Sequence, residues 1–190
     1  MIKIAIIGTA GRKTDGVKLN RTIYQAIIED VRHRLEIVRE PIHLVSGGAA
    51  YMDHLAVLAY LRKFPNVESL ELFFPCKWQD EMFQRNGTQR KSTASVSNNY
   101  HEKFSLKMKG EKDTSLKQIQ RALDNGARYH ERKGFYDRNL DVGYVDYILA
   151  YTFGKSLYQP KDGGTFHTWS KLKALTKIHI PIALIGENNG

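Results

Sequence analysis

The sequence predicts an α/β protein: one domain on an open parallel sheet of about five strands, with helices on both faces. Three observations carry this. Apolar, β-branched runs such as "IKIAII" alternate with stretches that repeat apolar residues at helical spacing. The runs are continuous, as expected of strands buried on both faces. Glycine-rich turns stand between several runs and the helices that follow them.

The elements follow in order. Ile2–Ile7, "IKIAII", is the first strand and ends in "GTAGRKTDG". From about Val17 to Val38, Leu19, Ile23, Ala26, Ile27, Val31 and Leu35 recur at helical intervals. Pro41 closes that helix, because the residue before a proline avoids helical backbone. "IHLVS" is the second strand. Tyr51 to Phe64 reads as a helix with Leu55, Leu58, Ala59 and Arg62 in phase, broken by Pro65-Asn66. "SLELFF" is the third strand, stopped by Pro75.

Cys76 to about Asp113 is polar, with "NGTQRKSTASVSNN" near its centre and no sustained period. It is too long for an ordinary connection, so an insertion, a lid or a flexible loop is expected, within an excursion spanning about 76–133. Helical patterning resumes from Ser115 to Ala127, through Leu116, Ile119, Ala122 and Leu123. A short helix is expected over Phe135 to Val142. "VDYILAYTF" is the fourth strand, and "KDGGTFHTWSKLKAL" repeats the glycine-then-helix pattern. "IHIPIALIG" is the last strand, with a proline suited to an edge position.

Composition bounds the rest. The chain has 190 residues, 42% of them apolar and 11% aromatic, which is enough for a real core and excludes wholesale disorder. No apolar run approaches the roughly 18–20 residues of a membrane span, so no membrane partner is expected. Met1 leads straight into the first strand without a basic leader or cleavage-type site, so no secretory signal is expected. Cys76 is the only cysteine, which excludes an internal disulfide and a cysteine-based zinc site and fits a reducing cytoplasm. The formal charge of +9 favours anionic partners, or serves solubility alone. The histidines lack metal-ligand spacing such as H-E-x-x-H, so no catalytic metal is expected.

All strands of a parallel sheet end on one edge, and the crevice lies where strand order reverses. The turns "GTAGR" (Gly8–Arg12), "SGGA" (Ser46–Ala49) and "DGGT" (Asp162–Thr165) therefore open onto one side. Glycine lets backbone approach a ligand, and a helix start offers free amides and positive dipole. Thr9, Ser46 and Thr165 add hydroxyls; Arg12 and Lys13 add charge. Together they resemble a phosphate cradle. "GTAGR" is neither a dinucleotide fingerprint nor a P-loop, and close strand–helix packing is the alternative for any single turn.

"AIIGTAGR", "VSGGAAYMDHLAVLAYL", "GFYDRNLDVGYVDYILAYTFG" and "DGGTFHTWSKLKAL" with "IPIALIG" together resemble the SLOG superfamily. That group takes in the Lonely Guy phosphoribohydrolases, the DNA-processing protein A family and nucleotide-sensing domains of bacterial defence systems. The resemblance covers most of the chain outside 76–133 and implies a single Rossmann-like domain over 1–190. It implies a nucleotide or nucleotide-derived ligand of adenine or ADP-ribose type, no required cofactor, and a homo-oligomer. By position it puts Gly8, Thr9, Gly11 and Arg12 at a first ligand loop and Ser46, Gly47, Gly48 and Ala49 at a second. Gly163, Gly164 and Thr165 become the phosphate-binding third loop. Asp53 matches the acid of the "SGGA…D" motif, and Arg138 and Asn139 match the "RN" ahead of the fourth strand. The phosphoribohydrolases carry a catalytic glutamate three residues after the threonine; here that place holds Thr168.

The leading expectation is a binding protein, a sensor or sequestering module for a nucleotide signal. An alternative is a nucleotide N-glycosidase with a relocated acid among Asp53, Glu81, Asp137 and Asp162. A third reading is single-strand DNA binding, through Arg85, Arg90, Lys91, Lys103, Lys107, Lys109 and Lys112 interleaved with Phe83, Tyr100 and Phe104. Asp53 is a candidate to hold a ribose hydroxyl, to orient Arg12, or merely to complement a helix start. Arg138 and Asn139 reach a phosphate or cap the short helix, unless Arg138 pairs with Asp137 or Asp141. Tyr51, Tyr136 and Tyr151 are base-stacking candidates, with the core as the alternative. His167 is a candidate phosphate donor; His43 and His179 lie in strand patterns and are expected to be structural.

Overall fold

The computed structural model describes residues 1–12, 14–85, 92–161, 163–171 and 174–187. Lys13, Arg90, Lys91 and Asp162, all singled out above, lie outside the described residues, as does the side chain of Lys109.

The β-branched N-terminal run forms β1 (Ile2–Gly8), with Ile4 and Ile6 packed into one core and Ala5 and Ile7 into another. β2 (Ile42–Ser46) is buried at every position. These two strands lie near the sheet centre, which is why their sequences lack alternation. β3 (Val67–Phe74) follows, then a small hairpin of β4 (Trp78–Gln79) and β5 (Met82–Phe83). β6 (Arg128–Glu131), β7 (Tyr147–Thr152) and β8 (Thr176–Pro181) complete the set. The main sheet has six strands in the order β6-β3-β2-β1-β7-β8, with every neighbouring pair parallel. Strand order reverses beside β1, which is flanked by β2, the next strand in the chain, and by the distant β7.

Helices cover both faces. On the larger side, α2 (Arg21–Glu36), α3 (His54–Leu61), α4 (Thr93–Lys109), α5 (Thr114–Asp124) and α8 (Ile182–Glu187) bring Ile27, Leu55, Phe104, Ile119 and Ile182 onto Leu44, Leu70 and Leu149. On the other, α6 (Phe135–Val142) and α7 (Gly164–Lys171) bring Val142 and Trp169 onto Ala5, Ile7, Val45 and Ala150. A short α1 (Thr14–Lys18) precedes α2. Among the described residues no helix is long and apolar enough to cross a membrane.

Four expectations are corrected. The sheet has six strands, not about five, because "RYHE" from inside the excursion pairs with β3. As a short edge strand it is largely exposed and carries no apolar signature. The segment expected to be loop or lid contains α4, capped by the Ser92 hydroxyl, which accepts from the Ser95 amide, and closed by Gly110 at φ 80°. Its buried stripe is Ala94, Ser97, His101, Phe104, Ser105 and Met108, so half its inward positions are polar and hide the period. The helix expected from Val17 to Val38 is broken at Asn20, whose side chain caps α2 by accepting from the Ile23 amide at 2.8 Å. The last apolar run ends as strand at Pro181 and continues as α8. β8 is an edge strand, as its proline implies.

Candidate functional site

The ends of β1 and β7 and the helices α6 and α7 enclose a cleft of about 680 Å³ at the carboxyl edge of the sheet. Predicted residues from all three turns reach it, but the turns differ in how their polar groups are used.

In the first turn Gly8, Thr9 and Arg12 line the cleft, while Gly11 stands behind them. The Thr9 amide donates to the Tyr151 carbonyl at 2.9 Å. The Thr9 hydroxyl donates to Asp15 at 3.0 Å and accepts from the Gly11 amide at 3.2 Å. Arg12 is exposed, rests 5.7 Å from the Tyr100 ring centroid, and has no carboxylate partner among the described residues.

The second turn faces inward. Only Ala49 lines the cleft; Ser46, Gly47 and Gly48 lie behind it. The Ser46 hydroxyl donates to the Asp53 carbonyl at 2.8 Å and accepts from the Gly48 amide at 3.2 Å. Gly48 has φ +63°, and a Cβ there would stand 2.6 Å from the Phe74 ring. A Cβ on Gly47 would stand 2.3 Å from the Arg138 guanidinium. These two glycines meet demands of the fold itself.

Asp53 and Arg138 form the buried centre of the cleft floor. Arg138 Nη1 lies 3.4 Å from Asp53 Oδ2 and donates to the Gly47 carbonyl at 2.9 Å. Arg138 Nε and Nη2 donate to Asn139 Oδ1 at 3.0 and 2.6 Å. Its cation also faces the Phe135 ring at 5.8 Å. Burial raises the Asp53 pKa above the usual carboxylate value, opposed by Arg138 and by the amides of Gly8 and Ala49. Burial lowers the Arg138 pKa; Asp53 opposes the shift and the Arg12 charge adds to it. Asp53 makes no side-chain bond to the start of α3, so helix capping does not explain it. It partners Arg138 rather than Arg12. Asp141, one expected partner of Arg138, instead pairs with Arg132, and Asp137 is exposed.

The third turn is open. Gly163, Gly164 and Thr165 line the cleft, and a Cβ on Gly164 would meet nothing within 4 Å. Among the described residues no acceptor meets the Gly164 or Thr165 amide, both at the positive end of α7. The Thr165 hydroxyl donates to the Gly8 carbonyl at 2.7 Å and ties this turn to the first. His167 stays outside the lining, with its ring 5.3 Å from that of Tyr136. Thr168 does line the cleft, and its hydroxyl donates to the Gly164 carbonyl at 3.0 Å.

Sequence reading missed Asp15 and Lys161, which face the cleft and approach each other at 3.5 Å. Their signal was adjacency alone: Asp15 closes "GRKTD", and Lys161 immediately precedes "DGG". Of the acids considered for catalysis, Asp53 is in the cleft, whereas Glu81 sits in the β4–β5 turn and Asp137 is outside the lining. Two stacking candidates are corrected. Tyr51 and Tyr151 are buried, the first against Phe104 at 4.8 Å, the second donating its hydroxyl to Asp30 at 2.7 Å. Tyr136 is exposed. Phe83 and Phe104 are also buried, so neither offers a face to an unpaired base, and the Lys107 ammonium is held by the Gly16 and Val17 carbonyls.

Fold and cleft together define an α/β protein with an open six-stranded parallel sheet and a crevice at the carboxyl ends of its strands. The chain is 34% identical over 190 residues to "Uncharacterized protein R261" of Acanthamoeba polyphaga mimivirus, across 96% of this chain and 97% of that protein, and belongs to the same family. No protein-family model and no solved structure matches it.

Proposed function

We propose that the cleft binds a nucleotide or nucleotide-derived anion of adenine or ADP-ribose type, with a phosphate on the first turn of α7, as a sensor or sequestering protein. One observation carries this reading: the third turn has amides that meet no acceptor among the described residues, and an open Gly164, facing a cleft bordered by Arg12, Arg138 and Lys161. The inward glycines of the second turn are explained by packing; Gly164 is not, and close approach of a ligand gives it a reason. The SLOG resemblance points the same way. At the place of the hydrolase glutamate the cleft presents a threonine hydroxyl, which supports binding over N-glycosidic cleavage. In this reading the protein is a cytoplasmic homo-oligomer.

Thermal shift and calorimetry with ADP-ribose, AMP and cyclic dinucleotides test it. A bound ligand at 100 times its Kd adds about 2.7 kcal/mol of stability. Absence of any stabilisation at millimolar ligand refutes the reading. Release of free base, followed by chromatography, would replace it with the N-glycosidase reading. Light scattering of the purified chain tests the homo-oligomer.

A further inference from the structure

A second cavity, of about 190 Å³, opens on the larger helical face where α2, α3, α4 and α5 meet. Two of its walls, α4 and α5, come from the excursion after β3, outside the segments that resemble SLOG proteins. Its floor is apolar: Tyr24, Ile28, Leu58, Phe104 and Met108. Its rim carries Arg21 at the start of α2 and Arg62 just past α3. Both are exposed, and neither guanidinium has a hydrogen-bond or ion-pair partner among the described residues. Among the described residues no aspartate or glutamate lines the cavity. One unpaired surface arginine is ordinary; two over one apolar hollow with no acid form a charged mouth on a greasy floor.

We propose that this cavity is a second ligand site, for a small organic anion: a carboxylate or phosphate head on an apolar body. Guanidinium is suited to both heads, since its planar fork matches carboxylate and phosphate oxygens. Ser105, Ser115 and Gln118 supply the polar wall beside the apolar floor.

The site reaches the turns under the cleft through two sets of directed hydrogen bonds. His101 Nε2 donates to the Gly48 carbonyl at 3.0 Å, which leaves Nδ1 as the acceptor. Ser115 Oγ lies 2.9 Å from that Nδ1, and Ser105 Oγ lies 2.7 Å from Ser115 Oγ. Ser115 gives its one hydroxyl proton to that acceptor, so Ser105 is the donor to Ser115 Oγ, while Ser105 Oγ accepts from the Ser115 amide at 3.0 Å. The chain therefore runs Ser105, Ser115, His101, Gly48. Independently, the Tyr24 hydroxyl on the cavity floor donates at 3.0 Å to the carbonyl of Tyr51, a non-glycine residue at φ 65°. An occupant resting on Ser105, Ser115 and Tyr24 thus acts on Gly48 of the second turn and on Tyr51 just after it.

The test uses the full chain with benzoate as the anionic probe and benzamide as its neutral counterpart, followed by calorimetry and amide NMR. Benzoate is expected to bind at millimolar concentration, to shift the Ser115 and Gly48 amides, and to outbind benzamide by about tenfold or more. Arg21→Gln with Arg62→Gln is expected to weaken benzoate at least about tenfold while the thermal melt is retained. Arg12→Gln, in the cleft, is expected to leave benzoate binding unchanged. The proposal is overturned by no benzoate binding, by equal affinity for benzamide, by undiminished affinity in the double variant, or by loss with Arg12→Gln. Benzoate-induced shifts at the Ser115 amide, with none at the Gly164 and Thr165 amides, separate this site from binding in the cleft.

Discussion

Gly48 and Gly164 look alike in sequence, each the second glycine of a pair before a helix, yet the structure predicts opposite responses to alanine. At Gly48, φ is +63° and a Cβ would stand 2.6 Å from Phe74 Cε1 and 2.8 Å from Cδ1. Left-handed backbone costs an alanine roughly 1–2 kcal/mol. Overpacking a rigid ring adds about 1–3 kcal/mol. Phe74 is fully buried and wedged among Trp78, Phe83 and Tyr129, so the ring has little room to yield. Gly48→Ala is therefore expected to lose about 2–5 kcal/mol, which for a chain of this size lowers Tm by about 4–20 °C. At Gly164 a Cβ meets nothing, and alanine favours helical backbone by up to about 1 kcal/mol. Gly164→Ala is expected to melt at or slightly above the parent temperature but to bind ADP-ribose at least about tenfold more weakly, because the new methyl occupies the phosphate's approach. Urea titration and calorimetry on both variants decide it. A Gly48→Ala protein as stable as the parent refutes the packing argument; a Gly164→Ala protein with parental affinity refutes the role given to the third turn.

Other perturbations follow from the same geometry. Arg138→Met strands Asp53 in a buried site and is expected to cost about 3–5 kcal/mol in urea unfolding, with part of the loss recovered by adding Asp53→Asn. Because burial raises the folded Asp53 pKa above 3.8, its contribution is fully present below that value and is lost as pH rises through the folded pKa, so pairing Arg138→Met with a pH series should show stability falling further as pH rises. Burial pushes His101 down to about 3 and His54 down to about 4, so both stay neutral when folded and charge near 6.5 when unfolded. Their stabilising contribution is full above pH 6.5 and is lost as pH falls toward 4; urea midpoints from pH 7 to 4 should show it, with a slope reduced by one proton in His101→Gln. Phe104→Ala empties a buried ring site and is expected to cost about 3–5 kcal/mol in thermal or urea unfolding.

The central sheet was legible because β1 and β2 are largely buried on both faces, which leaves their sequences mostly apolar and without alternation. β6 escaped notice for the opposite reason: at an edge three of its four residues are exposed, and nothing in "RYHE" requires a strand. α4 was obscured by chemistry, because Ser97, His101 and Ser105 occupy inward positions, where His101 and Ser105 bond Ser115 of α5 and His101 also bonds the Gly48 carbonyl instead of packing as hydrocarbon. The three glycine turns were recognisable as a set, since parallel topology brings them to one edge. Which turn keeps donors without a partner among the described residues was not, because that depends on acceptors outside the turns: the Tyr151 carbonyl on the Thr9 amide, and the Asp53 carboxylate on the Gly8 and Ala49 amides. Asp15 and Lys161 show the same limit, as a pair separated by 146 positions with no shared motif.

The bond from the Thr165 hydroxyl to the Gly8 carbonyl joins residues 157 positions apart. During synthesis the first turn leaves the ribosome long before its counterpart exists; at roughly 5–20 residues per second the wait is about 8–30 s. β1 meanwhile has β2 to pair with on one side but an uncovered edge on the other, where β7 will dock. A nascent chain therefore carries half a crevice and an adhesive flank together, and both vanish in the same event, when the last third of the polypeptide arrives.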